Sequence, residues 1–166
     1  MTIDVNKEYT AVIDTTYGKI TVRLSPKEAP VTVNNFVFLA RQGFYNGLKI
    51  HRVVKGFVFQ TGDPKGDGTG GPGYAFADEK VVGEYKPGVL AMANSGANTN
   101  GSQFFVTIGD LRTVLEKKYN LFGEVTGGYD VALRIGEVPV ASPPGGGEKS
   151  RPTVDLRVNS ITVSEK

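Results

Sequence analysis

The segment 50–63 brings an arginine and a glutamine close together along the chain. A three-residue turn at 55–57 would set Arg52 opposite Gln60 on one face of a hairpin, whereas a two-residue turn would set it opposite Phe59. The pattern alone leaves both turns open. On the residues alone, a single strand arginine is expected to be solvated or salt-bridged. The alternative is a binding face on which a guanidinium, an amide and aliphatic groups lie together.

The chain of 166 residues contains one histidine, His51, and no cysteine. Disulfides, thiol nucleophiles and thiolate metal sites are therefore excluded, and neither a histidine metal cage nor a Ser-His-Asp triad is expected. His51 falls on the strand face opposite Arg52, where a buried structural role is expected. The alternative is a hydrolase that uses His51 with a serine and an aspartate. No cofactor and no metal are predicted.

Glycine is abundant, with 22 residues, and it is concentrated between positions 62 and 73. Residues 66–71 match the G-x-G-x-x-G pattern of dinucleotide sites, but that function requires a helix to begin inside the motif. Pro72, Gly73 and Tyr74 follow instead, without helical periodicity. The segment is therefore predicted to be a shaped surface loop and not a nucleotide site.

The elements that must position these residues are mostly strands. Apolar residues spaced by three and four after Pro30 predict a helix that ends near Gly43, and a second helix is predicted over 129–135. Strands are predicted at 9–14, 20–24, 50–54, 57–61, 89–93, 103–107, 121–125 and 154–163, with a bulge between 158 and 161 where the apolar parity changes. The predicted fold class is mostly β: a closed eight-stranded antiparallel β-barrel capped by two α-helices.

Length and composition limit the classes of function. At about 150 residues per domain, residues 1–166 form one domain. Lys and Arg total 19 against 17 Asp and Glu, a balance that argues against nucleic-acid and anionic-membrane binding. No apolar stretch is long enough to span a membrane, and the N-terminus lacks signal-peptide features, so a cytoplasmic monomer is expected. The Pro- and Gly-rich segment 141–150 is predicted to be a mobile surface loop.

Several short motifs follow one another along the chain. They are His51-Arg52…Gly56-Phe57…Gln60…Gly62-Asp63, then Gly68-Thr69-Gly70-Gly71, then Met92-Ala93-Asn94-Ser95-Gly96 and Asn98-Thr99-Asn100-Gly101-Ser102-Gln103-Phe104-Phe105. Together with Val33-Asn34-Asn35-Phe36 and Leu121-Phe122-Gly123, they resemble the cyclophilin family of peptidyl-prolyl cis-trans isomerases. The resemblance covers about residues 8–163, and it implies an eight-stranded barrel with two capping helices.

The resemblance also implies a role for individual residues. Arg52 takes the place of the catalytic arginine. The residues that look like the walls of the proline pocket are Phe57, Val58, Phe105 and Leu115, with Tyr119 beside them. The residues that match positions holding the peptide backbone are Gln60, Ala93, Asn94 and Gln103, and Gly68 and Thr69 resemble the rim of a pocket for the residue before proline.

The chain departs from the family pattern at three positions. Val58 stands where the family usually has methionine, and Tyr119 stands where many members have histidine. Val114 falls where many members have a tryptophan that contributes to binding the inhibitor cyclosporin, and the chain has no tryptophan at all. The resemblance therefore implies cyclosporin binding that is weakened, with Arg52 and the pocket aromatics retained.

The activity implied by the resemblance is rotation about X-Pro peptide bonds in peptides and unfolded protein chains, which assists folding. That reaction has a barrier of about 18–20 kcal/mol from amide resonance and needs no nucleophile, metal or cofactor. It needs a site that binds the twisted amide better than either planar form. The alternative is a non-catalytic proline-peptide binding module, or a holdase chaperone, of the same fold.

Overall fold

The computed structural model describes residues 1–166 as two helices and ten strands. The helices are α1 (Pro30–Arg41) and α2 (Tyr129–Ile135). The strands are β1 (Tyr9–Thr15), β2 (Gly18–Leu24), β3 (Arg52–Val54), β4 (Val58–Thr61), β5 (Val89–Met92), β6 (Phe104–Thr107), β7 (Leu121–Gly127), β8 (Val140–Ala141), β9 (Arg151–Pro152) and β10 (Val158–Glu165). No helix has the length and hydrophobicity that crossing a membrane requires.

Eight of the strands form one antiparallel sheet in the order β10-β1-β2-β7-β5-β6-β4-β3, and β8 pairs only with β9. The prediction of a mostly-β fold with two helices is confirmed. The prediction of a closed barrel is wrong, because the sheet is an open half-barrel whose edge strands are β3 and β10.

A single bridge between Lys49 and Arg157 spans the gap between the two edges. The pairing between the two edges does not extend beyond this bridge, because β3 hydrogen-bonds to a different segment. The backbone N–H of Val53 donates to the carbonyl of Ser150 at 2.8 Å, so the outer edge of β3 faces the segment that leads into β9. That arrangement leaves the sheet open and brings the 142–150 segment next to the strand that carries Arg52.

Helix α1 covers the core, as its apolar spacing predicts. Pro30 occupies the first turn, where its missing N–H costs no hydrogen bond. Phe36 is fully buried and packs against Phe104 and Phe122, with ring centroids 5.4 and 5.2 Å apart. The second predicted helix is confirmed as α2.

Strand β10 contains the predicted bulge. Asp14 pairs with Ser160 and Thr15 pairs with Val158, so the residue between them has no partner in β1. The strand begins at Val158, later than predicted, and continues to Glu165. Beyond it, Glu8 and Lys166 exchange backbone hydrogen bonds of 3.1 and 3.0 Å, which continue the pairing of β1 with β10 past Tyr9 and Glu165.

Candidate active site

Strands β3 and β4 form a hairpin whose turn has three residues. Arg52 pairs with Gln60 and Val54 pairs with Val58, which decides between the two turn lengths that the sequence left open. Arg52 and Gln60 therefore lie on the same face of the sheet. The Nη1 group of Arg52 donates to Oε1 of Gln60 at 3.5 Å, and the guanidinium carbon lies 5.8 Å from the centre of the Phe57 ring.

The hairpin and its neighbours enclose a cavity of about 170 Å³ with mainly apolar walls. Its lining consists of Arg52, Phe57, Val58, Gln60, Ala93, Asn94, Phe105, Leu115 and Tyr119. All nine are residues that the sequence assigns to the site. The cavity presents one guanidinium and two side-chain amides at the edge of an apolar surface, which suits a small apolar ring with a polar backbone on either side.

The apolar wall has its own small core below it. Val58 and Phe105, which are 2% and 5% exposed, belong to a cluster of buried residues separate from the main core. Phe105 and Tyr119 meet edge to face with ring centroids 5.6 Å apart. Because these side chains come from β4, β6 and the segment before β7, the pocket depends on three parts of the chain that are distant in sequence.

Tyr85 supports Tyr119 from outside the cavity, and it is not among the site residues that the sequence predicts. Its hydroxyl donates to the backbone carbonyl of Tyr119 at 2.5 Å and accepts from the backbone N–H of Tyr119 at 3.0 Å. Burial raises the pKa of Tyr85 to about 12, so the hydroxyl keeps its proton for the first of these bonds. A single tyrosine outside any regular strand carries no sequence signal for this role.

A second cavity, of about 390 Å³, adjoins the first and contains the remaining predicted residues, Gly68, Thr69 and Gln103. Gln60, Ala93 and Asn94 line both cavities, which together form one groove. Gln60 donates through Nε2 to Oε1 of Gln103 at 2.9 Å. Gln103 in turn donates to the backbone carbonyls of Gly68 and Gly70, both at 2.9 Å, so the floor of the groove is tied to the glycine loop.

The glycine-rich loop is organised around Asp63, which is 1% exposed. Its carboxylate accepts backbone hydrogen bonds from Lys65, Asp67 and Gly68 at 2.8, 3.1 and 2.6 Å. Burial acts to raise the pKa of Asp63, but the backbone donors together outweigh it and the pKa lies below its usual value. Gly70 passes so close to this carboxylate that a Cβ there would collide with it.

No helix follows the loop before β5, which confirms the prediction that residues 62–73 form a shaped loop without the helix that a dinucleotide site requires.

His51 lies on the other side of the hairpin, as predicted. It lines a different cavity, of about 430 Å³, from which Arg52 is absent. Both ring nitrogens are buried without a hydrogen-bond partner, and burial lowers the pKa of His51. The hydrolase alternative finds no support, because His51 is outside the groove. No three His, Asp or Glu side chains are grouped so that they could hold a metal ion.

Glu148 contacts the guanidinium of Arg52, so Arg52 is salt-bridged, as one reading of the sequence expects, by a partner that the sequence does not identify. Its two carboxylate oxygens accept from Nε at 2.8 Å and from Nη2 at 3.1 Å. The hydrogen bond with Arg52 is the main reason that the pKa of Glu148 lies below its usual value. The sequence predicts segment 141–150 only as a mobile surface loop, and an acidic residue among prolines and glycines gives no sign of a partner 96 residues away.

The open half-barrel with this groove on its surface has clear counterparts among known proteins. A family model described as cyclophilin type peptidyl-prolyl cis-trans isomerase/CLD matches residues 10–163. The chain belongs to this family.

Two relatives differ in how much of their own length is matched. Peptidylprolyl isomerase domain and WD repeat-containing protein 1 of Mus musculus is 42% identical over 158 residues, which cover 92% of this chain and 24% of that protein. The chain thus spans about a quarter of the length of that relative. Peptidyl-prolyl cis-trans isomerase B of Streptomyces anulatus is 40% identical over 173 residues, covering 94% of this chain and 97% of that protein.

Solved structures show the same likeness in three dimensions. A cyclophilin type peptidyl-prolyl cis-trans isomerase of Cryptosporidium parvum superposes with a TM-score of 0.85 at 31% identity, covering 95% of this chain and 98% of that one. A second structure of that protein, in the presence of the dipeptide Ala-Pro, gives a TM-score of 0.84 at 31% identity and covers 93% of this chain.

Proposed function

We propose that this chain is a peptidyl-prolyl cis-trans isomerase acting on X-Pro bonds of peptides and unfolded protein chains. The observation that carries the proposal is the guanidinium of Arg52 at the edge of the apolar cavity of about 170 Å³. The name of the Streptomyces anulatus relative, which this chain matches over nearly its whole length, supports the reaction. The Cryptosporidium parvum structure in the presence of Ala-Pro supports proline peptides as ligands.

The chemistry follows from what changes when the peptide bond twists. In the planar amide the prolyl nitrogen shares its lone pair with the carbonyl, and in the twisted amide it regains that lone pair and accepts a hydrogen bond. Arg52 donates this bond and therefore stabilises the twisted form over both planar forms. A hydrogen bond to a charged group contributes about 1.5–3 kcal/mol, which corresponds to roughly 10- to 150-fold in rate.

The rest of the groove holds the substrate in place for that step. The residues that we assign to the proline ring are Phe57, Val58, Phe105, Leu115 and Tyr119, all in the apolar wall. Gln60, Ala93, Asn94 and Gln103 hold the peptide backbone across the junction of the two cavities. Gly68 and Thr69 form the rim for the residue before proline. Fixing the flanking chain while the proline ring is held lets the bond between them rotate.

Substitution of Arg52 tests the proposal directly. We expect Arg52→Ala to lower kcat/KM for a proline peptide at least tenfold, because the donor to the prolyl nitrogen is lost. The measurement is cis-trans exchange of the peptide by NMR, with circular dichroism to verify the fold. Arg23→Ala is the matched control, because Arg23 is also a strand arginine paired with a glutamate, Glu124 at 3.4 Å, but lines neither cavity.

Equal rates in the wild type and Arg52→Ala would contradict the catalytic assignment. Peptide binding by the wild type without any acceleration of exchange would instead identify a binding module.

Weakened cyclosporin binding is the second part of this proposal. By the resemblance, Val114 stands at the position of the family's tryptophan; it is 68% exposed, and a valine side chain offers a large ligand less apolar area there than a tryptophan would. We expect Val114→Trp to tighten cyclosporin binding by about tenfold, measured by calorimetry. Val31→Trp on α1, at another exposed valine, is expected to leave binding unchanged. Identical affinities in all three proteins would contradict the assignment.

A further inference from the structure

The segment between β8 and β9 places a carboxylate directly on the proposed catalytic arginine. Glu148 binds Arg52 through two hydrogen bonds, Oε1 to Nε at 2.8 Å and Oε2 to Nη2 at 3.1 Å. This is the two-point geometry that makes an arginine–carboxylate pair directional as well as attractive. The side chain of Arg52 is 31% exposed and that of Glu148 is 51% exposed, so the pair lies at the surface of the groove.

The segment is attached firmly enough to present Glu148 in a defined place. Ala141 and Arg151 pair at its base, where β8 meets β9. Two residues after Glu148, the carbonyl of Ser150 accepts the backbone N–H of Val53, the neighbour of Arg52 in β3, at 2.8 Å. Glu148 therefore approaches Arg52 from a backbone that is hydrogen-bonded to the same strand.

The other edge of the guanidinium is held only weakly. Its contact with Gln60 is 3.5 Å long, and the Phe57 ring lies 5.8 Å from the guanidinium carbon. An arginine has five N–H donors. Glu148 engages one on Nε and one on Nη2, and Gln60 engages one on Nη1, which leaves one donor on each Nη nitrogen for a ligand. Without Glu148, nothing short or directional would fix the plane of the guanidinium.

We propose that Glu148 is a positioning residue for Arg52, and that it makes the 142–150 segment a working part of the isomerase site. It holds the Nε edge of the guanidinium so that the remaining Nη donors stay directed at the substrate in the proline pocket. The inference rests on the proposed isomerase function. It differs from a competing role, in which Glu148 would mask Arg52 until a substrate displaces it.

Substitutions at Glu148 separate these roles. We expect Glu148→Ala to lower kcat about two- to fivefold with little change in KM, the scale that an exposed two-point pair supports. Glu148→Gln keeps one acceptor oxygen and is expected to lose less than the alanine variant. Glu137→Gln is the matched control, since Glu137 forms an exposed ion pair of 2.9 Å with Lys55 and lines neither cavity of the groove.

A spectroscopic signal reports the contact independently of turnover. The Nε–H resonance of Arg52 is expected to shift and to exchange faster with water in both Glu148 variants, and to stay unchanged in Glu137→Gln. A rise in kcat/KM in Glu148→Ala would overturn the proposal in favour of masking. Wild-type kcat in Glu148→Ala, with Arg52→Ala inactive, would overturn it while leaving the proposed function intact. A wild-type chain without isomerase activity would overturn both.

Discussion

The position of Tyr119 in the pocket wall depends on Tyr85, which lies outside the pocket. The hydroxyl of Tyr85 forms hydrogen bonds with both the carbonyl and the N–H of Tyr119, at 2.5 and 3.0 Å. Strand β7 begins only at Leu121, so these two backbone groups have no partner in the sheet. The Tyr85 hydroxyl therefore satisfies the backbone groups of Tyr119, as the hydrogen bonds of the sheet satisfy those of Phe105. The side chain of Tyr119 meets Phe105 edge to face, so the hydrogen bonds with Tyr85 also position this aromatic contact.

We predict that Tyr85→Phe lowers the free energy of unfolding by about 1–3 kcal/mol, the cost of leaving partly buried backbone groups without partners. The variant is also expected to raise KM for a proline peptide, because Tyr119 loses its support. Urea unfolding and the exchange assay measure the two effects. Tyr17→Phe is the control, since Tyr17 hydrogen-bonds through its backbone groups. Unchanged unfolding in Tyr85→Phe would show that the hydroxyl bonds contribute nothing.

Among the elements, the glycine-rich loop is packed tightly against the Asp63 carboxylate. Gly68 has a φ of +95°, a conformation that side chains rarely adopt, and Gly70 leaves no room for a Cβ above the Asp63 carboxylate. The carbonyls of both glycines accept from Gln103 at 2.9 Å. The loop therefore transmits the position of a buried aspartate to the floor of the groove.

We predict that Gly70→Ala lowers the free energy of unfolding by about 1–3 kcal/mol, since the added methyl group must displace the loop or Asp63. A higher KM is expected as well, because the Gly70 carbonyl moves away from Gln103. Gly71→Ala is a close control: a methyl group on the next residue would meet no atom within 4 Å, and the backbone there has no positive φ. Equal stability of the two variants, measured by thermal unfolding, would contradict this account.

The elements that the sequence predicted well are those fixed by local periodicity. The spacing of Val33, Phe36 and Val37 sufficed for α1, and the parity change after Val158 sufficed for the bulge in β10. Local patterns do not encode contacts made at a distance. Leu156 looks like part of the last strand, but its carbonyl accepts from Ile50 across the open edge of the sheet, and the strand starts after it.

In the functional site, too, the sequence predicts what local motifs carry but not the contacts between distant parts of the chain. The groove residues came from family motifs, and the structure brings them into two adjoining cavities. Pattern alone did not choose the turn that sets Arg52 opposite Gln60, because both turn lengths keep a two-residue period. Glu148 had no signal at all, since its position depends on how β9 attaches beside β3.

Several carboxyl groups have pKa values lowered by the fold. We therefore expect the stability of the whole molecule to decrease in acid. The pKa of Asp63 is lowered by backbone donors against the effect of burial, and that of Asp110 is lowered to about 2, chiefly by its hydrogen bond with Arg112. A carboxyl with a lower pKa in the folded state than in the unfolded state stabilises the fold above its unfolded pKa. That stabilisation is lost as the pH falls through the folded pKa.

We predict that the Tm is constant near neutral pH and falls between about pH 4 and pH 2. Asp63→Asn is expected to lower the Tm at pH 7 and to make the decline in acid shallower, because the buried charge no longer titrates. Circular dichroism melts across this range measure both effects. Parallel curves for the wild type and Asp63→Asn would show that Asp63 does not contribute to the acid response.

The pairing of Glu8 with Lys166 has a consequence for how the fold can be connected. The two residues are joined by two backbone hydrogen bonds, and neither lines the groove. A polypeptide attached after Lys166 therefore starts beside β1 and need not pass over the cavities. The N-terminal residues lie elsewhere, because residues 1–7 continue to α1, where the backbone N–H of Thr2 donates to Oδ1 of Asn34 at 2.7 Å. A linker for circular permutation must span that separation, and its entropic cost rises only slowly with its length.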